Sequence, residues 1–251
     1  MSITGNKKTA CAESSCMQSR RRFLLGAGAI LLAPGVLLTV RPALADETGR
    51  QRWGLLIDTR RCVGDCSACV TACSTTHGLV SNGRPATDPQ WIRKVQVTDP
   101  GTGHVAHMPI MCQHCGNAQC VEVCPTGASL KRADGIVLVD KHLCIGCRYC
   151  VMACPFKARG FAHEEVENPS PVSPRGKGSA EGCTMCVHRI NKGQLPACVE
   201  ACARSGHEAI LFGDLNDPTS LIAKRVVAFG AAALRADLRT DPSVRYVGVN
   251  L

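Results

Sequence analysis

Apolar and polar positions along this chain change over in short bursts rather than in long periodic runs. The longest apolar stretch comes first, at residues 23–40, softened by Gly26, Gly28, Pro34 and Gly35. Its length approaches the ~20 residues needed to span a bilayer. Beyond it, Trp53-Gly54-Leu55-Leu56-Ile57-Asp58 reads as a strand and residues 67–76 as a short helix carrying Cys69 and Cys73. Residues 128–140 read as a hairpin turning at Asp134-Gly135, 148–153 as a helical turn and 209–212 as a strand. Residues 220–238 predict a terminal helix. Within it the apolar run 226–234, closed by Arg225 and Arg235, fits a half-buried amphipathic face and is too short to span a membrane. An extended tail, 241–251, is either available to a partner or disordered. Two polar segments, 80–90 and 163–182, the second rich in Pro, Gly, Ser and Glu, are expected to run over the surface. Strand, loop and helix recur in that order, which predicts an α+β fold.

The first apolar stretch has an address on it. Ser19-Arg20-Arg21-Arg22-Phe23-Leu24 fits the twin-arginine export pattern, and Ala43-Leu44-Ala45 is an A-x-A cleavage site. Residues 1–45 are therefore expected to be a signal peptide and Asp46 the start of a periplasmic protein; an uncleaved anchor is the alternative. The twin-arginine route carries folded proteins, as a protein loaded with a cytosolic cofactor requires.

Charge adds little. The formal net charge is +9, but residues 1–45 hold six Lys/Arg and one acid, and the remainder carries only +4. That surplus, with no basic stripe interleaved with aromatics, argues against a nucleic-acid-binding protein. Cysteine changes the picture: there are 18 in 251 residues. Cys11 and Cys16 lie within the signal segment, and the other sixteen fall into four groups of four.

The groups are Cys62-x3-Cys66-x2-Cys69-x3-Cys73, Cys112-x2-Cys115-x4-Cys120-x3-Cys124-Pro125, Cys144-x2-Cys147-x2-Cys150-x3-Cys154-Pro155 and Cys183-x2-Cys186-x11-Cys198-x3-Cys202. The third is the bacterial ferredoxin run, in which three cysteines grip one [4Fe–4S] cube and the fourth ligates the other cluster of a pair. Two residues between thiolates let a tight loop wrap a cube corner with its N–H groups toward sulfur, and the following proline turns the backbone. Zinc knuckles use four cysteines, but the tight Cys144/Cys147/Cys150 triplet suits a cube corner better. Disulfides suit an exported protein, but not such regular clustering. The C-x3-C-x2-C opening of group one also occurs in radical enzymes that cleave S-adenosylmethionine. Cys73 immediately after it, three further quartets and the export signal favour a ferredoxin loop with one extra residue. No C-x2-C-H occurs, so covalent haem is not predicted.

Nesting suggests two ferredoxin-like lobes, each binding two [4Fe–4S] clusters and joined by long surface loops. The inner lobe would come from residues 105–162, and the outer lobe from 53–80 and 180–215. Residues 219–251 supply the terminal helix and tail of a single domain, 46–251. Arg61, Arg148, Lys157, Arg159 and Arg189 lie near the cysteines in sequence; they are read either as positive charge that favours the reduced clusters and raises their potentials or as solvated surface charge. His114 and His188 are read as polar residues at a cluster rim rather than as ligands.

The cysteine pattern resembles the four-cluster electron-transfer subunits of molybdopterin oxidoreductases and related membrane complexes. Within that family the chain is most similar to the exported O subunit (DsrO) of DsrMKJOP sulfur-metabolism complexes. The stretches RWGLLIDTRRC, WIRKVQV, MPIMCQHC, KRADGIVLVDKHLCIGCRYCVMACPFKARGF, PRGKG, CTMCVHRINKGQLPACVEAC, AILFGDLNDP and RADLRTDPSVRYVGV carry the similarity. It implies one cluster on Cys62, Cys66, Cys69 and Cys202, and a second on Cys73, Cys183, Cys186 and Cys198. It implies a third on Cys112, Cys115, Cys120 and Cys154, and a fourth on Cys124, Cys144, Cys147 and Cys150. The chain departs from the family where Asn117-Ala118-Gln119 replace the usual prolines and where Ala203, not Pro, follows Cys202. The resemblance further implies an electron carrier with no substrate site of its own. Its partners would be an NrfD-like quinone-interacting membrane subunit, a periplasmic multihaem cytochrome c and a cytoplasmic iron–sulfur subunit. The rivals are a carrier for a periplasmic tetrathionate or polysulfide reductase or a nitrite-reduction system, and a cluster enzyme with an open iron site.

Overall fold

The computed structural model of the chain describes residues 29–33, 36–39, 50–84 and 86–249. The export motif, the cleavage site, Cys11 and Cys16 lie outside them. The chain divides into two units, Met1–Glu47 and Thr48–Leu251. In the first, β1 (Ala29–Ala33) pairs antiparallel with β2 (Val36–Thr39). The second begins with β3 (Trp53–Asp58) and α1 (Ala68–His77), followed by the hairpin of β4 (Ile92–Thr98) and β5 (Val105–Met111). Next come α2 (Gln119–Glu122), β6 (Ser129–Lys131), β7 (Val137–Val139), α3 (Tyr149–Ala153), β8 (Gly160–Phe161) and β9 (Ala180–Glu181). The last elements are α4 (Val187–Ile190), α5 (Ala197–Arg204), β10 (Ile210–Asp214), α6 (Leu221–Ala228) and β11 (Val244–Val247). Among the described residues no helix is long and apolar enough to cross a membrane.

β3 lies between β10, which runs antiparallel to it, and β11, which runs parallel. Its Leu-Leu-Ile run does not alternate because both faces are covered. Leu55 and Ile57 meet Trp91, Ile92, Met108, Met111, Tyr246 and the cysteines of α1 and α5. Leu56, on the other face, meets Ile222 and Val247. The two ends of the described unit are thus stitched together across one strand.

Two expectations are corrected here. The terminal helix does not run over 220–238 but stops after Ala228. Gly230 adopts φ +57°, its N–H reaches Val227 O, and Ala231 N–H reaches Val226 O. This paired closure satisfies the last carbonyls and ends the helix. Nor is the tail left for a partner or disordered. Val244 and Tyr246 are almost wholly buried in the sheet, and Gly116 and Asn117 donate to the carbonyls of Asp241 and Thr240. Parallel pairing with β3 leaves no local signature in the sequence, so the tail read as loose.

The polar segment 163–182 also ends in the interior rather than on the surface. Arg175 makes a bidentate pair with Glu181, 2.8 and 3.0 Å, and donates to Gly78 O at 2.9 Å. Gly78 is the left-handed residue that closes α1. The pair is nearly inaccessible, so removing one partner strands a buried charge. Glu181→Gln should cost roughly 3–5 kcal/mol, seen as a Tm lowered by about 10 °C. Glu165→Gln, whose partner Lys177 is exposed at 3.6 Å, should lie within about 1 kcal/mol of wild type.

Candidate metal centres

All sixteen described cysteines are free of disulfides. The first quartet is built from a loop and two helices. Cys62 follows a turn, Cys66 lies in the loop, Cys69 is on α1 and Cys202 on α5. α1 and α5 pack side by side. Each carries two cysteines four residues apart, Cys69/Cys73 and Cys198/Cys202, so each pair shares one buried helix face. Burial pushes the Cys69 thiol up to about 11, with the charges of Cys202, Cys62 and Cys66 adding to it. The extra residue in the C-x3-C loop is held by Lys94. Its ammonium donates to Val63 O, to Gly64 O at 3.0 Å and to Cys66 O at 2.7 Å. Burial raises Cys62, and the Lys94 charge works against it.

The second quartet lines one cavity. Cys73, Cys183, Cys186 and Cys198 border it together with Leu55, His77, Ile92, Met111, Met185 and Pro196. Burial drives Cys183 and Cys198 well above the usual thiol range, with neighbouring cysteines pushing the same way. Met185 N–H donates to Cys183 Sγ at 3.3 Å, and Cys186 Sγ lies 3.5 Å from His77 Nε2. His77 is held down to about 4 by burial first and then by the charges of His188 and Arg175.

In the third quartet burial raises Cys112 to about 11 and Cys115 to about 12. Both Cys120 and Cys154 act on Cys115 by charge repulsion. Ala158 N–H donates to Cys154 Sγ at 3.5 Å. His114, expected at a rim, has no exposed surface. Its Nδ1 accepts from Val137 N–H at 3.0 Å, which leaves the ring proton on Nε2. Burial first and the Arg159 charge second hold it down to about 3.

In the fourth quartet Cys150 is raised by burial and by Cys144 and Cys124, as well as by Cys120 of the third. Burial also pushes Cys124 up, but hydrogen bonds from Ser129 N–H, Thr126 and Ala128 N–H outweigh it and its thiol falls below the usual range. Cys147 is exposed, on the loop between Cys144 and α3. That loop is pinned at Gly146, which sits at φ +73° with its ideal Cβ position 2.3 Å from Gly178 O. Gly146→Ala should therefore displace Cys147 and cost about four iron atoms per chain if the loop grips a cube, as read by iron analysis.

The quartets also form a sequence in space. Cys69 and Cys202 of the first share one buried cluster with Cys73 and Cys198 of the second. Cys183 of the second packs against Cys112 and Cys154 of the third, and α2, which carries Cys120 of the third, packs against α3, which carries Cys150 of the fourth. The order is therefore first, second, third, fourth, as a path requires.

The donor set fits an iron–sulfur cube. Four thiols around an apolar space repel one another as thiolates, and a metal core that deprotonates them removes that penalty. Backbone N–H groups already point at Cys124, Cys144, Cys154, Cys183 and Cys202. Trp91 Nε1, His114 Nε2 and Arg159 Nε are buried donors with no acceptor in the protein. A single tetrahedral ion needs thiolates about 2.3 Å from one centre. Among the described residues no three His, Cys, Asp or Glu are so gathered.

Three of these features were not read from the sequence. The His77 and Trp91 rings meet at a tilt, centroids 4.5 Å apart, beside the second quartet, and Lys94 braces the first. Trp91 and Lys94 approach from a segment distant from both quartets, whereas His77 lies one turn past Cys73 on α1. The local signs are that i, i+4 spacing of Cys73 and His77, and Trp91 standing just before the strand that carries Lys94.

Two families described as 4Fe-4S dicluster domains match the chain, one over residues 61–128 and one over 104–214. The chain is 39% identical over 267 residues to the Hdr-like menaquinol oxidoreductase iron-sulfur subunit 1 of Archaeoglobus fulgidus, covering 92% of this chain and 98% of that protein. It is 36% identical over 243 residues to a tetrathionate reductase subunit of Salmonella typhimurium, covering 92% and 89%. It is 34% identical over 237 residues to protein NrfC of Escherichia coli, covering 91% and 89%.

Proposed function

The chain belongs to the 4Fe-4S dicluster family of iron–sulfur electron-transfer subunits, and from that premise we propose that it is the four-cluster periplasmic carrier of a membrane-bound sulfur-metabolism complex of the DsrMKJOP type. The observation that carries this reading is the spatial order of the four thiol quartets. When bound, a [4Fe–4S] cluster supplies reversible one-electron transfer. The chain's own residues hold each cluster, exclude water and set its potential through N–H···S bonds and local charge. All sixteen thiols are committed to ligation, so no open iron site and no substrate chemistry are assigned.

An exposed apolar patch supports the partner assignment. Val123, Leu143, Ile145, Tyr149 and Met152 are exposed apolar side chains on the two segments that supply the fourth quartet. In sequence they flank Cys124, Cys144, Cys147 and Cys150, and Cys147 is itself exposed. Such a patch marks a partner or membrane contact. We assign it to an NrfD-like quinone-interacting membrane subunit, with a periplasmic multihaem cytochrome c meeting the carrier elsewhere and a cytoplasmic iron–sulfur subunit completing the complex. The relative named for a menaquinol oxidoreductase supports a quinol-linked assignment. The twin-arginine pattern at residues 19–24 supports export.

The relative from tetrathionate reductase supports the second reading, a carrier serving a periplasmic molybdopterin reductase. Purifying the native complex separates the two. Co-purifying c-type haem without molybdenum is the expected result; molybdenum without haem would replace the first reading with the second.

A further inference from the structure

Of the five cations that the sequence places near the cysteine groups, four are exposed or engaged by other groups. Arg61 pairs with Glu208 at 3.2 Å and Arg189 with Glu200 at 2.6 Å. The Arg148 guanidinium lies 4.1 Å over the Phe161 ring, and Lys157 is exposed. Arg159 differs. It is only 6% exposed and forms no ion pair with a carboxylate among the described residues. One guanidinium nitrogen donates to Cys120 Sγ at 3.4 Å, while Nε is buried without an acceptor. Its charge acts on Cys112 and Cys120 of the third quartet and on Cys150 of the fourth. Lys141, half-buried, is close enough for its charge to oppose that of Arg159.

A buried guanidinium without an anion costs several kcal/mol. Among the described residues the groups positioned to offset it, once a cluster holds them as thiolates, are cysteine sulfurs, and they belong to two different quartets. We propose that Arg159 is a positioning residue shared by the two inner clusters, a buried counter-charge that favours the reduced state of both. This rests on the four-cluster reading. An electron arriving at either site adds one negative charge beside a cation that neither surface screening nor a carboxylate neutralises. The unpartnered Nε–H adds a donor for cluster sulfur, and hydrogen bonds to sulfur and net charge are what set such potentials.

The test is a redox titration of the holoprotein followed by EPR, with iron measured on each sample. In Arg159→Gln the reduced-to-oxidised ratio at a fixed potential should fall at least tenfold for two of the four clusters, equal to about 59 mV for a one-electron couple, with the other two unchanged. Arg159→Lys, which keeps the charge, should hold all four ratios within threefold of wild type. A shift in one cluster only, in all four alike, or in none at full iron content overturns the proposal. If Arg159→Gln does not load, Arg159→Lys must load and keep its potentials; its failure would also overturn the proposal. Wild-type protein without iron–sulfur signals would instead defeat the four-cluster reading itself.

Discussion

Stripping iron from the purified protein under reducing conditions should abolish its cooperative thermal transition. The reason is visible in the core. Cys69, Cys73, Cys198 and Cys202 are members of the same buried cluster as Leu55, Ile57, Met111 and Tyr246. Without a cube, the second quartet surrounds a cavity lined by thiols and apolar side chains, and such voids destabilise in proportion to their size. Aromatics make up only 4% of the chain, so few large side chains are on hand to fill it. Binding at one structural metal site is worth on the order of 10 kcal/mol, comparable with the whole stability of a domain, about 5–15 kcal/mol. Circular dichroism before and after chelation checks this. An unchanged melting curve in the iron-free sample would mean that side chains alone hold the fold.

The second large effect is expected at Cys183. This thiol sits in the second quartet yet packs against the Cys112–Cys154 core of the third, so it stands at the joint between the outer and inner groups. Cys183→Ser should lower iron by about four atoms per chain. It should also reduce electron passage between the two ends of the protein to background, because the path has no parallel branch. Stopped-flow reduction at one end with an acceptor at the other reads this. Full iron content with undiminished transfer would place Cys183 outside the path.

Much of the thiol clustering was legible because the cysteines keep regular local spacings. The ferredoxin run at Cys144–Cys154 and the helix carrying Cys69 and Cys73 are local patterns, and α1 lies within one residue of the expected range. β3 occupies the predicted residues, and the hairpin of β6 and β7 turns at the expected Asp-Gly. What escaped is non-local. The parallel pairing of Val244–Val247 with β3 joins segments almost 200 residues apart, and nothing in a four-residue apolar run announces it. The end of α6 was missed because the apolar face of 226–234 continues past Gly230, while the backbone there turns left-handed and does not. His114 reads as polar, yet its ring is fully buried because Val137 N–H supplies one partner. The β4–β5 hairpin was not read because the basic residues Arg93 and Lys94 dilute its alternation. Both reach across to other segments, Arg93 to the carbonyls of Phe156 and Lys157 and Lys94 to the Cys62–Cys66 loop.

The most direct test of the central claim is the iron, acid-labile sulfide and free-thiol content of the protein purified without oxygen. Four cubes caged by sixteen thiols predict about 16 iron and about 16 sulfide per chain, with no disulfide detected by mass. A folded, metal-free chain with its cysteines joined in pairs, or one holding zinc in place of iron, would contradict it.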